Sequence, residues 1–134
     1  MVAREIKIKQ EERSAAADYF KKATDNYTQM LAAIQADNGN AAATLAVQCA
    51  ISSADAICVF EKGIRSISQD HFDVCDLVAS LPIEEAKEKA KLLRKIVAKK
   101  NLVQYERRNI HKDEALEIVK VTTRFYQWAK DYVG

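Results

Sequence analysis

Apolar residues recur at intervals of three and four along most of this 134-residue chain, which is the spacing that places them on one face of an α-helix. The first such stretch covers residues 11–36 and is followed by the turn signal Asp37-Asn38-Gly39. Asn40 is a candidate cap for the next helix. The pattern therefore predicts an amphipathic helix whose inner stripe is formed by Ala16, Phe20, Ala23, Tyr27, Met30 and Ile34.

The segment of residues 41–67 is the most apolar part of the chain. Between residues 41 and 60, apolar or small residues occupy nearly every position, so no face of this segment is polar. A helix of this kind is buried on several sides, which predicts that it is the central helix of the fold. Residues 1–10, in contrast, have a mixed pattern and are expected to be flexible.

Three further helices are indicated by the C-terminal half of the chain. A short helix is predicted over residues 71–80, and Pro82 begins the next one, over residues 82–105, with an inner stripe of Ala86, Ala90, Leu93 and Val97. The last helix, over residues 113–132, has an inner stripe of Ala115, Val119, Thr122, Tyr126, Ala129 and Val133. The whole chain is therefore predicted to form one all-α domain, an antiparallel up-and-down bundle of four long helices plus one short helix.

Composition agrees with a helical domain and restricts the chemistry. Three glycines and one proline are too few for a β-rich fold of this length. The cysteines, Cys49, Cys58 and Cys75, form no CxxC pair and are accompanied by only two histidines, so no metal site and no cofactor are expected. The chain also contains no Gly-rich phosphate loop and no Ser/His/Asp arrangement. We expect three buried, reduced thiols in a cytoplasmic protein without a membrane-spanning segment.

Charge is distributed unevenly, although the formal net charge is only +2. Residues 70–85 carry five acids and no Lys or Arg, whereas residues 87–112 carry ten cations and two acids. The most basic short run is residues 99–112, KKNLVQYERRNIHK, in which five cations accompany one acid. Such a run either attracts an anionic partner or is a solvated helix face with internal ion pairs.

Polar residues of this basic run fall on the inner side of the helix predicted over residues 82–105. Counting three positions on from Val97 reaches Lys100, and Asn101 and Tyr105 lie four positions apart near the same side. Polar groups at inner positions need a partner or a function, unless the lysine extends to solvent. The candidate ligand-binding residues are therefore Lys100, Asn101, Tyr105, Arg107, Arg108 and His111.

Several segments, taken in order, together resemble a known family. They are AADYFKKA (residues 16–23), the loop at residues 37–40, the Ala-rich central helix, His71 at the start of a short helix, and KNLVQYERR followed by DEALEIVKVTTRFYQWAKDYV. In this order, covering about residues 11–133, the chain resembles HEPN domains. The resemblance implies a helical bundle that dimerises, often beside a nucleotidyltransferase partner. It also implies a relation to metal-independent ribonucleases of toxin or defence systems.

Active members of that family use an Arg followed, after four to six residues, by a His, with a polar residue just after the Arg. The positions that match are Lys100 for the Arg, Asn101 for the polar residue and Tyr105 for the His. An unperturbed tyrosine has a pKa of about 10 and is a poor general base, so the resemblance implies a non-catalytic branch. Arg65 and His71 have a suitable gap of five residues, but they span a predicted loop. A histidine at a helix start is commonly a capping or packing group.

Three hypotheses follow. The favoured one is a non-catalytic HEPN-like subunit that binds RNA, a nucleotide or a protein partner. This subunit would be a homodimer acting with a nucleotidyltransferase-like protein in a toxin–antitoxin or defence setting. The second is a metal-independent endoribonuclease of the HEPN type, and the third is a purely structural dimeric bundle. The first is favoured because Lys100 and Tyr105 stand where an active member carries Arg and His.

Overall fold

The computed structural model describes residues 5–134, and most of these residues are helical. Six α-helices follow one another: α1 (Ala16–Gln35), α2 (Gly39–Lys62), α3 (Phe72–Ala79), α4 (Ala86–Ala98), α5 (Lys100–Gln104) and α6 (Lys112–Val133). A 3-10 turn, Arg13–Ala15, leads into α1. Two short strands, β1 (Ile8–Gln10) and β2 (Ile64–Ser66), form an antiparallel pair.

Helix α2 is the central helix, as its apolar sequence predicts. Thirteen of its residues are buried, and α1, α3, α4 and α6 all pack against it. Burial of this apolar surface is the main favourable contribution to folding. By length and composition α2 also passes as a membrane span, but 67% of its most apolar window is buried within the fold. That burial is typical of the core helix of a soluble protein.

Side chains from five helices, α1, α2, α3, α4 and α6, form the core. The largest fully buried ones include Phe125 on α6, Met30 on α1, Ile57 on α2 and Leu93 on α4. The predicted inner stripes of α1, α4 and α6 all contribute buried residues to this core. The four longest helices are α1, α2, α4 and α6, and α3 is a short helix between them. The predicted all-α helical bundle is therefore confirmed.

The helix predicted over residues 82–105 begins later than expected. Residues 80–85 form turns, in which Leu81 is buried against the core. Glu85 adopts a left-handed conformation with φ of 67°, which is incompatible with a continuous right-handed helix. Helix α4 therefore begins only at Ala86, and Pro82 lies outside it.

The same predicted helix is also interrupted near its end. The backbone N–H of Lys99 donates to the carbonyl oxygen of Ile96 at 3.0 Å, which is a tight three-residue turn that ends α4. Helix α5 then turns a different face towards the core from the one predicted for a continuous helix, and Leu102 is its buried residue. The basic run is consequently divided between a short helix and an irregular connection to α6.

The turn between α1 and α2 is capped by Asn38, although the sequence pattern indicated Asn40. The Asn38 Oδ1 accepts a hydrogen bond from the N–H of Ala41 at 3.3 Å, while Asp37 takes a left-handed conformation at the end of α1. Asn40 instead accepts a hydrogen bond from the N–H of Ile110 at 2.9 Å. The connection before α6 is thereby tied to the start of α2.

The strand pair joins the segment before α1 to the segment after α2. Residues 8–10, which belong to the segment expected to be flexible, form β1, and residues 1–4 of that segment lie outside the described residues. In the antiparallel register, Lys9 lies opposite Arg65. The backbone of Arg65 is therefore held in a sheet directly after the end of α2.

Gly63 makes the reversal from α2 into β2. Its φ of 64° is left-handed, and a Cβ at this position would lie 3.2 Å from the carbonyl oxygen of Glu11. The N–H of Glu11 in turn donates to the carbonyl oxygen of Gly63 at 2.9 Å. The tight contact and the positive φ would together strain any other residue here, which favours glycine at the turn.

The three cysteines are buried and free, as the sequence analysis expects. Cys49 and Cys58 lie on α2, and Cys75 lies on α3. Burial raises the pKa of the Cys49 thiol to about 12 and that of the Cys75 thiol to about 11. These thiols are therefore protonated and poorly nucleophilic at neutral pH.

Candidate functional site

Arg65 and His71 line the same cleft, which has a volume of about 260 Å³. Helix α2 supplies one wall, β2 and the loop after it supply the second, and α3 supplies the third. The loop that argued against this pair in the sequence is the element that brings the two residues to one site. The full lining consists of Ile51, Asp55, Arg65, Ser66, Ile67, Ser68, His71 and Val74.

Short polar side chains at alternate positions hold the loop between β2 and α3. Ser66 Oγ accepts from the N–H of Ser68 at 3.3 Å, and Ser68 Oγ accepts from the N–H of Asp70 at 3.1 Å. Asp70 Oδ1 then accepts from the N–H of Phe72 at 3.0 Å, where α3 begins. Hydrogen bonds to the backbone two residues on are typical of tight turns built by Ser and Asp. They hold the loop in one conformation and so determine where His71 lies.

Arg65 is held by a buried carboxylate. Its Nε donates to Oδ2 of Asp55 at 3.3 Å, and only 9% of the Asp55 side chain is exposed. The guanidinium also lies over the ring of Tyr19, 5.0 Å from the ring centroid. Burial raises the pKa of Asp55 to about 6, and the charge of Arg65 opposes that rise. At neutral pH the two groups therefore form an ion pair at the edge of the cleft.

His71 lies immediately before α3 with its imidazole half-buried. Its Nδ1 is shielded from solvent and has no hydrogen-bond partner among residues 5–134. Burial lowers the pKa of His71, the nearby charge of Lys100 lowers it further, and Asp70 opposes these effects. The imidazole is therefore neutral at neutral pH and able to accept a proton.

Asp55 is a residue of the cleft that sequence reasoning missed. A signal was present, because Asp55 is the only charged residue between residues 41 and 60. A single carboxylate in a helix that is buried on nearly all sides requires a partner or a function. The partner could not be identified from the sequence, since nothing local shows that Arg65 folds back onto α2.

The inward orientation predicted for Asn101 and Tyr105 is wrong. Both side chains are exposed, and Tyr105 exposes 74% of its surface. The prediction assumed one continuous helix, whereas the chain breaks at Lys99 and Leu102 takes the buried position of α5. Lys100 is half-buried, and it is the predicted residue whose charge acts on His71.

Arg108 and His111 have structural partners at the start of α6. Arg108 forms two parallel hydrogen bonds with the Glu114 carboxylate, at 2.8 and 2.9 Å. The N–H of His111 donates to the same carboxylate at 3.0 Å, and the His111 side chain accepts from the N–H of Glu114. The bonds from Arg108 and then from His111 lower the pKa of Glu114 to about 2.

A second, smaller cleft of about 170 Å³ lies at the basic run. Among the described residues, Arg107 is an exposed cation of this cleft for which no ion pair is formed. The residues predicted to bind a ligand are thus divided between this corner and the neighbourhood of His71. The lining consists of Asn40, Ala43, Leu102, Val103, Glu106, Arg107, Arg108, Asn109 and Ile110.

The role of these clefts is indicated neither by a metal-binding cluster in the described residues nor by similarity to a known protein. Within residues 5–134, no three His, Cys, Asp or Glu side chains are grouped so that they could hold a metal ion. Compared with known proteins, the chain matches no family model and no curated protein. A functional assignment therefore depends on the geometry and charge of the clefts.

Replacing Asp55 with Asn tests the buried charge of the Arg65–His71 cleft. Because the pKa of Asp55 is raised from 3.8 to about 6 in the folded state, the folded protein binds more protons than the unfolded chain between these values. Its stability therefore falls as the pH rises through this range. The Asn variant has no carboxyl group at this position and therefore lacks this loss. The difference in free energy of unfolding, variant minus wild type, should be higher at pH 7 than at pH 4 by roughly 2–3 kcal/mol. Urea denaturation at both pH values measures the difference, and an equal effect at the two values would contradict it.

Proposed function

We propose that this chain is a metal-independent endoribonuclease of the HEPN type whose active site is the Arg65–His71 cleft. One observation carries the proposal: a single cleft contains Arg65, the polar Ser66 that follows it, and His71. Five residues separate Arg65 from His71, a spacing within the range that the family resemblance associates with active members. The departures at Lys100 and Tyr105 then do not argue against catalysis, because the catalytic pair lies elsewhere.

The charge states of the cleft suit cleavage of RNA. His71, whose pKa is lowered, is neutral at neutral pH and can take the proton from a ribose 2′-hydroxyl. The 2′-oxygen attacks the adjacent phosphorus, the bond to the 5′-oxygen breaks, and a 2′,3′-cyclic phosphate forms. Arg65 remains charged and stabilises the negative charge that develops on the phosphate. The nearby charge of Lys100 adds to this attraction.

A homodimer is part of the proposal. The leaving 5′-oxygen needs a proton, and one imidazole that has just accepted a proton is poorly placed to give it to the opposite side of the phosphorus. The family resemblance implies that the active groups are paired across a dimer. A second copy of the cleft would supply the acid, so two chains would act on one RNA strand.

Cleavage of a short single-stranded RNA in the presence of EDTA tests the ribonuclease proposal. We expect products with a 2′,3′-cyclic phosphate, and a loss of about 100-fold or more in rate for Arg65→Ala and for His71→Asn. Arg124→Ala, which removes an exposed arginine from α6, is the matched control and should cleave like the wild type. Intact RNA after incubation with the wild type over a range of pH would contradict the proposal. So would a loss of cleavage in His111→Asn but not in His71→Asn.

A second candidate function is the one favoured by the sequence alone, a non-catalytic subunit that binds RNA or a nucleotide at the basic run. In this case the chain would act beside a nucleotidyltransferase-like partner in a toxin–antitoxin or defence setting. The exposed Arg107 and the exposed ring of Tyr105 support it. Exposed cations and exposed aromatic rings are the groups that bind single-stranded nucleic acids.

The double variant Lys100→Ala/Arg107→Ala tests the second candidate. We expect weaker RNA binding at low salt, and a slope of log affinity against log salt that is reduced by about 2, since each removed cation releases one fewer counterion. Lys120→Ala/Arg124→Ala, on the exposed face of α6, makes the same change in charge and is the control. Equal slopes for the wild type and the first variant would remove this candidate. A wild type that neither binds nor cuts RNA would favour the purely structural bundle.

A further inference from the structure

We propose that Asp55 is a positioning residue that anchors Arg65 through its Nε, so that the two terminal nitrogens of the guanidinium present a free edge to a phosphate group. The inference rests on the proposed function for the source of that phosphate, which is an RNA phosphodiester. The geometry itself does not depend on whether the RNA is cut. Asp55 acts through Arg65 and does not touch the ligand.

The ion pair uses one edge of the guanidinium. Nε of Arg65 donates to Oδ2 of Asp55 at 3.3 Å, and within residues 5–134 neither Nη1 nor Nη2 has a hydrogen-bond partner. A guanidinium carries five N–H donors in a rigid plane, and four of these are on the terminal nitrogens. Two of the four point in the same direction and match two oxygens of one phosphate.

Tyr19 and β2 restrict the remaining freedom of Arg65. The guanidinium lies over the Tyr19 ring, 5.0 Å from the ring centroid. At the other end of the side chain, the backbone of Arg65 is paired with Lys9 in the sheet. A side chain that is already restrained at both ends loses little conformational entropy when it binds a ligand.

The Asp55 carboxylate has two roles to be told apart, the positioning of Arg65 and the neutralisation of its charge. The charged groups around Asp55 are Arg65 on β2, Glu11 in the N-terminal segment and Lys22 on α1. An apolar residue at this site of α2 would avoid the cost of burying a charge. The carboxylate supplies a fixed acceptor for the Nε proton of Arg65. An amide oxygen in the same place supplies an equivalent acceptor without the charge, so an Asn variant tells the two roles apart.

Binding of uridine 3′-monophosphate and of inorganic phosphate to the full chain, measured by isothermal titration calorimetry at pH 7, tests this role. We expect Asp55→Ala to weaken binding of both probes about tenfold or more, and Asp55→Asn to stay within about threefold of the wild type. Ser53→Ala is the control for any general effect of a substitution in α2, because Ser53 is fully buried on the same helix and lies outside the cleft. Rescue by the Asn variant is the result that a positioning role requires.

Several outcomes overturn the proposal. Equal losses in Asp55→Ala and Asp55→Asn would mean that the carboxylate acts by its charge, and wild-type affinity in Asp55→Ala would mean that it does not act on Arg65. Failure of the wild type to bind either probe would also overturn it, and binding of inorganic phosphate without the nucleotide would overturn RNA as the source. Phosphate binding with the expected variant pattern but without RNA cleavage removes only the ribonuclease function and supports the positioning role.

A measurement on the wild type covers the case in which Asp55→Ala does not fold. The Nε–Hε NMR resonance of Arg65, assigned by its absence in Arg65→Lys, reports directly on the bond to Asp55. If phosphate binds at the terminal nitrogens, this resonance stays protected from exchange with solvent when uridine 3′-monophosphate is added. Loss of that protection on addition of the nucleotide would mean that phosphate displaces Asp55, and it would overturn the proposal.

Discussion

The burial of α2 is the constraint on which the rest of the structure depends. This helix is apolar on nearly every face, so the fold must cover it on all sides, and α1, α3, α4 and α6 provide that cover. Small residues along it, including the fully buried Ala42, Ala46 and Ala50, let the neighbouring helices approach closely. The bundle is therefore the consequence of one helix that must be shielded from water. The other helices cover this helix with their apolar stripes.

The same burial determines the chemistry of the Arg65–His71 cleft. A carboxylate on α2 is shielded by the covering elements, so Asp55 is stable as an anion only beside a cation. The glycine turn after α2 and the strand pair return the chain so that Arg65 reaches that position. The hydrogen-bonded loop then places His71 against the same helix, where burial keeps the imidazole neutral. A restrained cation and a neutral base in the same cleft thus follow from one packing constraint.

The long helices could be predicted from the sequence because each carries a sustained period of three and four, and this signal is local. The two strands could not, since each has three residues and its pairing partner lies far away along the chain. The break at Lys99 was equally hidden, because the surrounding residues include neither Gly nor Pro. At the site, the spacing of Arg65 and His71 is visible in the sequence. Their meeting in one cleft with Asp55 is a tertiary contact that no local pattern encodes.

An NMR pH titration of the His71 imidazole, with and without uridine 3′-monophosphate, tests most directly whether the cleft holds a neutral base beside a phosphate-binding cation. The His111→Asn variant contains only one histidine and so assigns the signal. We expect the pKa of His71 to lie below its ordinary value of 6.5 in the free protein. The bound nucleotide should raise that pKa, because a phosphate anion next to the ring favours the imidazolium form. An ordinary pKa for His71 that does not change when the nucleotide is added would contradict the assignment of this cleft as the functional site.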